Sequence, residues 1–124
     1  MGEKKTVAKQ IFDLLKSNGF DVYFPSQHKG DCLSKYIVVK HDGAYQPISV
    51  SSDRPIYTLM CYVPESNYSE LEQFVIDVKE TMKLIFPLLM YAGNETPSYY
   101  DDSNKSHMVS FQYYGTRKIE LMNL

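Results

Sequence analysis

The chain has 124 residues, a formal net charge of −2, 44% hydrophobic residues and 23% charged residues. That length supports one domain, spanning 1–124, with a core that needs no disulfide or metal staple. The cations are scattered instead of forming a stripe, which excludes a protein that grips a nucleic-acid backbone, and no stretch approaches the roughly 20 apolar residues of a membrane span.

The compositional outlier is tyrosine, eleven against six phenylalanines and no tryptophan. Tyrosine combines a large apolar ring with a polar tip, which suits a surface that is wet before assembly and buried after it. It is also a good strand residue, so strand propensity accounts for the excess equally well.

Met1 to Lys5 leads into the first helix without the apolar core of a secretory signal. Cys32 and Cys61 have no C-x-x-C spacing and are expected as reduced thiols in a protein made in the cytosol, Cys61 in the core. The first helix is predicted from Thr6 to Ser17. Thr6 serves as N-cap, Val7, Ile11, Leu14 and Leu15 share one face, and Asn18-Gly19 supplies the left-handed stop. Phe20 to Phe24 is short and extended, ended by Pro25, and 26–34 is a loop.

Lys35 to His41 is a strand whose continuous Tyr36-Ile37-Val38-Val39 run implies burial on both faces. Asp42-Gly43 opens a twelve-residue connection ending at Asp53, with Tyr45, Ile48 and Val50 more apolar than a passive loop requires. Long loops often carry function, so it is read as an arm that reaches a partner, the alternative being an ordinary extended hairpin exposed to water, of which Ser49, Ser51, Ser52 and Asp53 are typical. Arg54 to Val63 is the next strand, with Tyr57, Leu59, Cys61 and Val63 on one side and Ile56, Thr58, Met60 and Tyr62 on the other.

A long helix follows. Ser69 and Glu72 have capping-box spacing, and Leu71, Phe74, Val75, Val78, Met82 and Ile85 trace one stripe before Pro87 stops it. Leu88 to Tyr91 is a short extended piece. Thr96 to Tyr100 and His107 to Tyr114 flank the turn Asp101-Asp102-Ser103-Asn104 as a hairpin. The segment 117–124 is unusually apolar, with Ile119, Leu121, Met122 and Leu124, and is expected to return to the core or dock on a partner.

These elements predict an α+β fold: an N-terminal helix and a mixed or antiparallel sheet of about four to five strands, with two helices on one face. The opposite face is rich in tyrosine and apolar residues, and a neighbouring subunit is a natural cover for it. The residues expected at protein interfaces are Tyr45, Ile48, Val50, Tyr57, Tyr62, Tyr99, Tyr100, Leu121 and Leu124.

Catalytic and metal-binding constellations are weak. His28, His41 and His107 lack ligand spacing, and Asp101 and Asp102 beside His107 fit a hairpin turn better than a metal site. Cys32 with His28 or His41 lacks a third positioning group. The glycines are dispersed, so no phosphate-cradling loop forms. The expectation is a protein that is not an enzyme and uses no cofactor or metal.

Several segments together resemble the tail terminators of long-tailed bacteriophages, also called tail completion or tail-to-head joining proteins. They are Ile11-Phe12-Asp13-Leu14-Leu15; Tyr36 to Val39 followed by Asp42-Gly43; Arg54 to Val63; the helix Leu71 to Ile85; and the pair Ser98 to Asp101 with His107 to Tyr114. The likeness spans roughly residues 5 to 117 and is a pattern of elements rather than a motif. It implies a hexameric ring on the finished end of a phage or prophage tail tube. Such a ring stops tube growth and presents a docking surface to the head connector, and DNA later passes through it without tight binding. It implies location in the virion after synthesis in the host cytoplasm, with no membrane partner. It also implies an intersubunit role for the second sheet face and contact of the 43–53 arm with tube or connector. The apolar 119–124 segment has no counterpart in that pattern. A non-catalytic adaptor of different stoichiometry, at the head–tail interface or in the cell, is the alternative.

Overall fold

The computed structural model describes residues 6–45 and 54–115. Helix α1 (Val7–Ser17) begins where Thr6 accepts a hydrogen bond from the Lys9 backbone N–H at 3.2 Å. It ends at Asn18, whose backbone N–H bonds the Leu14 carbonyl, and Gly19 then turns the chain at φ +92°. That stop is the predicted one. Strand β1 (Val22–Tyr23) follows, then β2 (Tyr36–Tyr45), β3 (Arg54–Pro64), helix α2 (Leu71–Met82), β4 (Leu89–Gly93), β5 (Tyr99–Asp101) and β6 (Ser106–Gly115).

The strands form one mixed sheet in the order β1-β2-β3-β6-β4, with β5 also on β6; only β1 and β2 run parallel. The fold is therefore α+β, with six strands instead of four to five. The additional strand arises because β4 and β5 share one edge of β6. Leu89 to Gly93 pairs with Gly115 to Gln112, and Tyr99 to Asp101 pairs with Met108 to Ser106. Between them Thr96 donates its N–H to the Ser110 carbonyl and accepts the Ser110 N–H on Oγ1. One broken strand thus lines the edge, and its interruption follows Gly93 and Asn94, both at positive φ.

Both helices cover one face. Ile11 and Leu15 of α1 and Leu71, Phe74, Val75, Val78 and Met82 of α2 pack in one core with Ile37, Val39, Leu59, Cys61, Val63, Val109 and Phe111. Period-two alternation puts the remaining strand residues on the opposite face. The predicted burial of β2 on both faces holds: Tyr36 and Val38 belong to a separate small cluster with Cys32.

Three local expectations change. The Ser69–Glu72 capping box does not form, because the chain enters α2 from a 3₁₀ turn, Glu65–Glu70. Glu70 is already helical and the Leu71 N–H bonds the Tyr68 carbonyl, so a side-chain cap has less to satisfy. Ile85 lies not in α2 but in a second 3₁₀ turn, Lys83–Ile85, after which Phe86 is extended, as a residue preceding proline must be.

The third change concerns the twelve-residue connection. Its ends are strand: Ala44 pairs with Pro55 and Tyr45 with Arg54. Asp42 and Gly43 together oppose one residue of β3, a bulge with Gly43 at φ +87°. Residues 46–53, which carry Ile48 and Val50, lie outside the described residues.

Phe111 is the largest fully enclosed side chain. Phe111→Ala is expected to cost ~3–5 kcal/mol and Thr6→Ala about 1 kcal/mol, both read from the midpoint of urea unfolding.

Candidate functional site

The second sheet face is ordered in rows set by strand register. Tyr36, Tyr62, Met108 and Tyr99 stand side by side across β2, β3, β6 and β5. Tyr36 stacks on Tyr62 with centroids 4.6 Å apart, and His28 stacks on the other side of Tyr36 at 3.9 Å. The chain itself supplies part of the cover. Loop 26–34 is tied down by the Cys32 N–H donating to the Asn104 carbonyl, and Asn104 Nδ2 donates to the Tyr36 hydroxyl at 2.7 Å. Burial pushes the Tyr62 phenol up to about 12. The expectation that a neighbouring subunit covers this face is thereby narrowed, since the loop already covers Tyr36.

Two rows further along, the same face is polar. Lys40 pairs with Asp42 at 3.3 Å, Asp42 accepts from Thr58 Oγ1 at 2.6 Å, Thr58 accepts from Gln112, and Gln112 accepts from Asn94. The Thr58 hydroxyl, more than Lys40, holds the Asp42 carboxyl below the usual carboxylate range. A connected polar row of this kind resists conversion into a dry apolar contact.

The expected interface residues therefore separate. Tyr62 and Tyr99 share the aromatic row. Tyr57 does not join them: it is 6% exposed, within the helix-covered core, and packs against His41. Its exclusion follows from alternation, because Tyr57 and Tyr62 are an odd number of positions apart on one strand. Tyr100 faces the helix side and donates to Glu65 at 2.9 Å. Tyr45 closes β2, while Ile48, Val50, Leu121 and Leu124 lie outside the described residues.

Apart from Leu33 on loop 26–34 and Tyr99 on the aromatic row, the exposed large apolar residues among those described run along the β4–β5 edge, the flank of α2 and the turns at its two ends. Starting at Tyr100, ring contacts lead through His107 to Tyr68, whose hydroxyl lies 3.1 Å from Ser98 Oγ. A groove of about 510 Å³ continues from there between α2 and 95–98, lined by Leu71, Ile76, Pro97 and Val109 among others. At its end Lys79 is ion-paired with Glu95 and lies over the rings of Tyr91 and Phe111. Beyond Lys79 a second groove, about 430 Å³, is lined by Met82, Phe86, Leu89, Tyr91 and Tyr113. Among the described residues no strand lies outside β4 and β5 on this edge.

Sequence reading missed Tyr68, Ile76, Leu84, Phe86 and Tyr91, all exposed. Ile76 and Leu84 are apolar residues that fall off the buried stripe of their helical segments, which is the signal that could have found them.

The chemistry-bearing residues have other occupations. Cys32 Sγ donates to the Ser34 carbonyl at 3.3 Å, and burial pushes its thiol up to about 11, the opposite of what a thiolate nucleophile needs. His28 and His41 are engaged in ring contacts with Tyr36 and Tyr57. Asp101 accepts the Ser103 N–H and hydroxyl, as a turn aspartate does. Among the described residues no three His, Cys, Asp or Glu side chains stand together as metal ligands, and no helix is long and apolar enough to cross a membrane.

The Lys79 ammonium, and secondarily the Tyr91 hydroxyl, hold the Glu95 carboxyl below the usual carboxylate range against the opposing effect of burial. A depressed carboxylate contributes stability above its unfolded pKa and loses it as pH falls through the folded value. Glu95→Gln is expected to be less stable than the parent at pH 7, with the difference in urea midpoint shrinking as pH falls below about 4.

No family model matches the chain, nor does any curated protein. One solved structure, which carries only a serial designation, is similar over 87% of this chain and 89% of its own, with a TM-score of 0.51 and 13% identity. A likeness at that identity shows a shared fold across nearly the whole chain.

Proposed function

We propose that this protein is a structural component of a phage virion: a tail terminator that forms a hexameric ring on the end of the tail tube, stops its growth and offers a docking surface to the head connector. The observation that carries the reading is the apolar band along the β4–β5 edge and α2, where Tyr68, Ile76, Tyr91 and Tyr100 are all exposed. Contiguous exposed apolar surface marks a protein contact. A band confined to one side edge suits a head-to-tail contact, which closes into a ring when each copy presents its edge to a different patch of the next. The element pattern shared with tail terminators supplies the identity of that ring. The polar Lys40–Asp42–Thr58–Gln112–Asn94 row is better suited to a wet surface than to an intersubunit core.

Light scattering across a wide concentration range, with negative-stain imaging of the concentrated sample, tests this. Six-fold rings are the expected result, either alone or as caps after purified tail tubes are added. A monomer that leaves tube ends uncapped would overturn the reading in favour of an adaptor of different stoichiometry. Ile76 is 46% exposed on α2. Ile76→Glu is expected to abolish rings while leaving the circular-dichroism melt within a few degrees of the parent. Tyr57→Asp, by contrast, places a charge in the core and is expected to unfold the chain.

A further inference from the structure

We propose that the apolar segment Ile119–Leu124 of the chain folds back onto its own second groove, the one lined by Met82, Phe86, Leu89, Tyr91 and Tyr113. The inference concerns one copy of the protein and does not depend on the ring reading.

Gly115 is the last described residue of β6, and its partners on β3 and β4 are both constrained. On β3, Pro55 has no N–H, and its ring carbon lies 3.0 Å from the position a Cβ on Gly115 would occupy. On β4, Leu89 is the last partner of Gly115. The next residue back, Leu88, already gives its N–H to the Ile85 carbonyl at 2.9 Å, and Pro87 has none to give. Past Leu89, β4 therefore offers no free N–H that would extend the ladder. Unpaired extension is unfavourable for a segment with this much apolar surface.

The groove lies at that exit. Leu89, directly across from Gly115, is one of its walls, and Tyr113, two residues earlier on β6, is another. Phe86 on its rim is 62% exposed, a large ring facing water where the chain leaves the sheet. Six residues, 116–121, span up to about 20 Å when extended, so Leu121 is well within reach of a groove that opens beside Gly115.

Composition complements position. Ile119, Leu121, Met122 and Leu124 are the residues a groove walled by Met, Phe, Leu and Tyr accepts. Within the proposed docking segment 119–124 Glu120 is the single charged residue, Arg117 and Lys118 lying in the tether before it, and the groove rim carries Lys79 and Lys83, the latter in a surface pair with Glu80. Attachment through a short tether gives the segment an effective concentration of about millimolar at its own groove, which favours it over the same segment of a second copy at ordinary protein concentrations.

The test is a disulfide trap in the full chain carrying Phe86→Cys and Leu121→Cys together, with each single variant as control. Cys32 and Cys61 are buried, so they compete little for the new thiols. Mild oxidation of dilute protein is expected to give a crosslinked monomer that runs faster on a non-reducing gel, a shift absent from both single variants. Failure to crosslink, or covalent dimers without crosslinked monomer, would overturn the proposal. Hydrogen exchange on the otherwise unaltered chain gives an independent readout: Leu121→Ser with Leu124→Ser is expected to speed exchange at Leu89 to Tyr91 by tenfold or more. Unchanged exchange there would count equally against it. Ring formation is scored separately by light scattering, so loss of the trap with rings intact sinks this inference alone.

Discussion

Everything else in the fold is arranged around the need to cover β3 on both faces. Leu59, Cys61 and Val63 are fully buried against the helices, while Met60 and Tyr62 pack on the cluster formed by Tyr36, Val38 and Cys32. A strand apolar on both sides must lie inside the sheet, and β3 does, between β2 and β6. Two helices suffice for one face. Among the described residues the other carries no helix and is served by a loop, an aromatic row and a polar row.

That division explains where the exposed apolar surface ends up. The second face hides its most apolar end beneath loop 26–34 and keeps the opposite end wet through the Asp42–Thr58–Gln112 chain. Most of the exposed apolar residues, Leu33 on loop 26–34 excepted, lie at the edge, on α2, the turns at its two ends and the broken strand of β4 and β5. The end of α2 contributes directly. Pro87 forces Phe86 out of helical geometry, so an aromatic ring that would otherwise have continued a helix faces solvent beside Leu84. The exposed apolar surface here is a by-product of how the helix stops, which is why it sits at a corner and not across a face.

Electrostatics refine the picture without dominating it. Lys79 touches both the core and the edge, reaching over Phe111 and Tyr91 while paired with Glu95. Burial alone would lower its pKa; the hydrogen bonds it donates to Glu95 and Tyr91 outweigh that and hold it charged. It divides the apolar band into two grooves, one along α2 and one at the exit of β6.

The amino-acid sequence by itself determined the local elements and their inward faces. Thr6 and Asn18-Gly19 bound α1, the alternation in β3 and β6 identifies the core residues, and the α2 stripe from Leu71 to Met82 is buried as its spacing requires. These follow from periodicity and caps, which act over a few residues. Tertiary structure alone decided the rest: that β4 and β5 share an edge, that the connection after Asp42 begins with a bulge, which side of β3 the helices cover and so which of Tyr57 and Tyr62 is in the core, and that loop 26–34 folds over Tyr36. Each depends on which strand becomes whose neighbour, a contest among long-range pairings that no local window contains. The interface candidates suffered most for this reason, because exposure at an edge depends on what does not pack there, and that is settled only once every other segment has found its place.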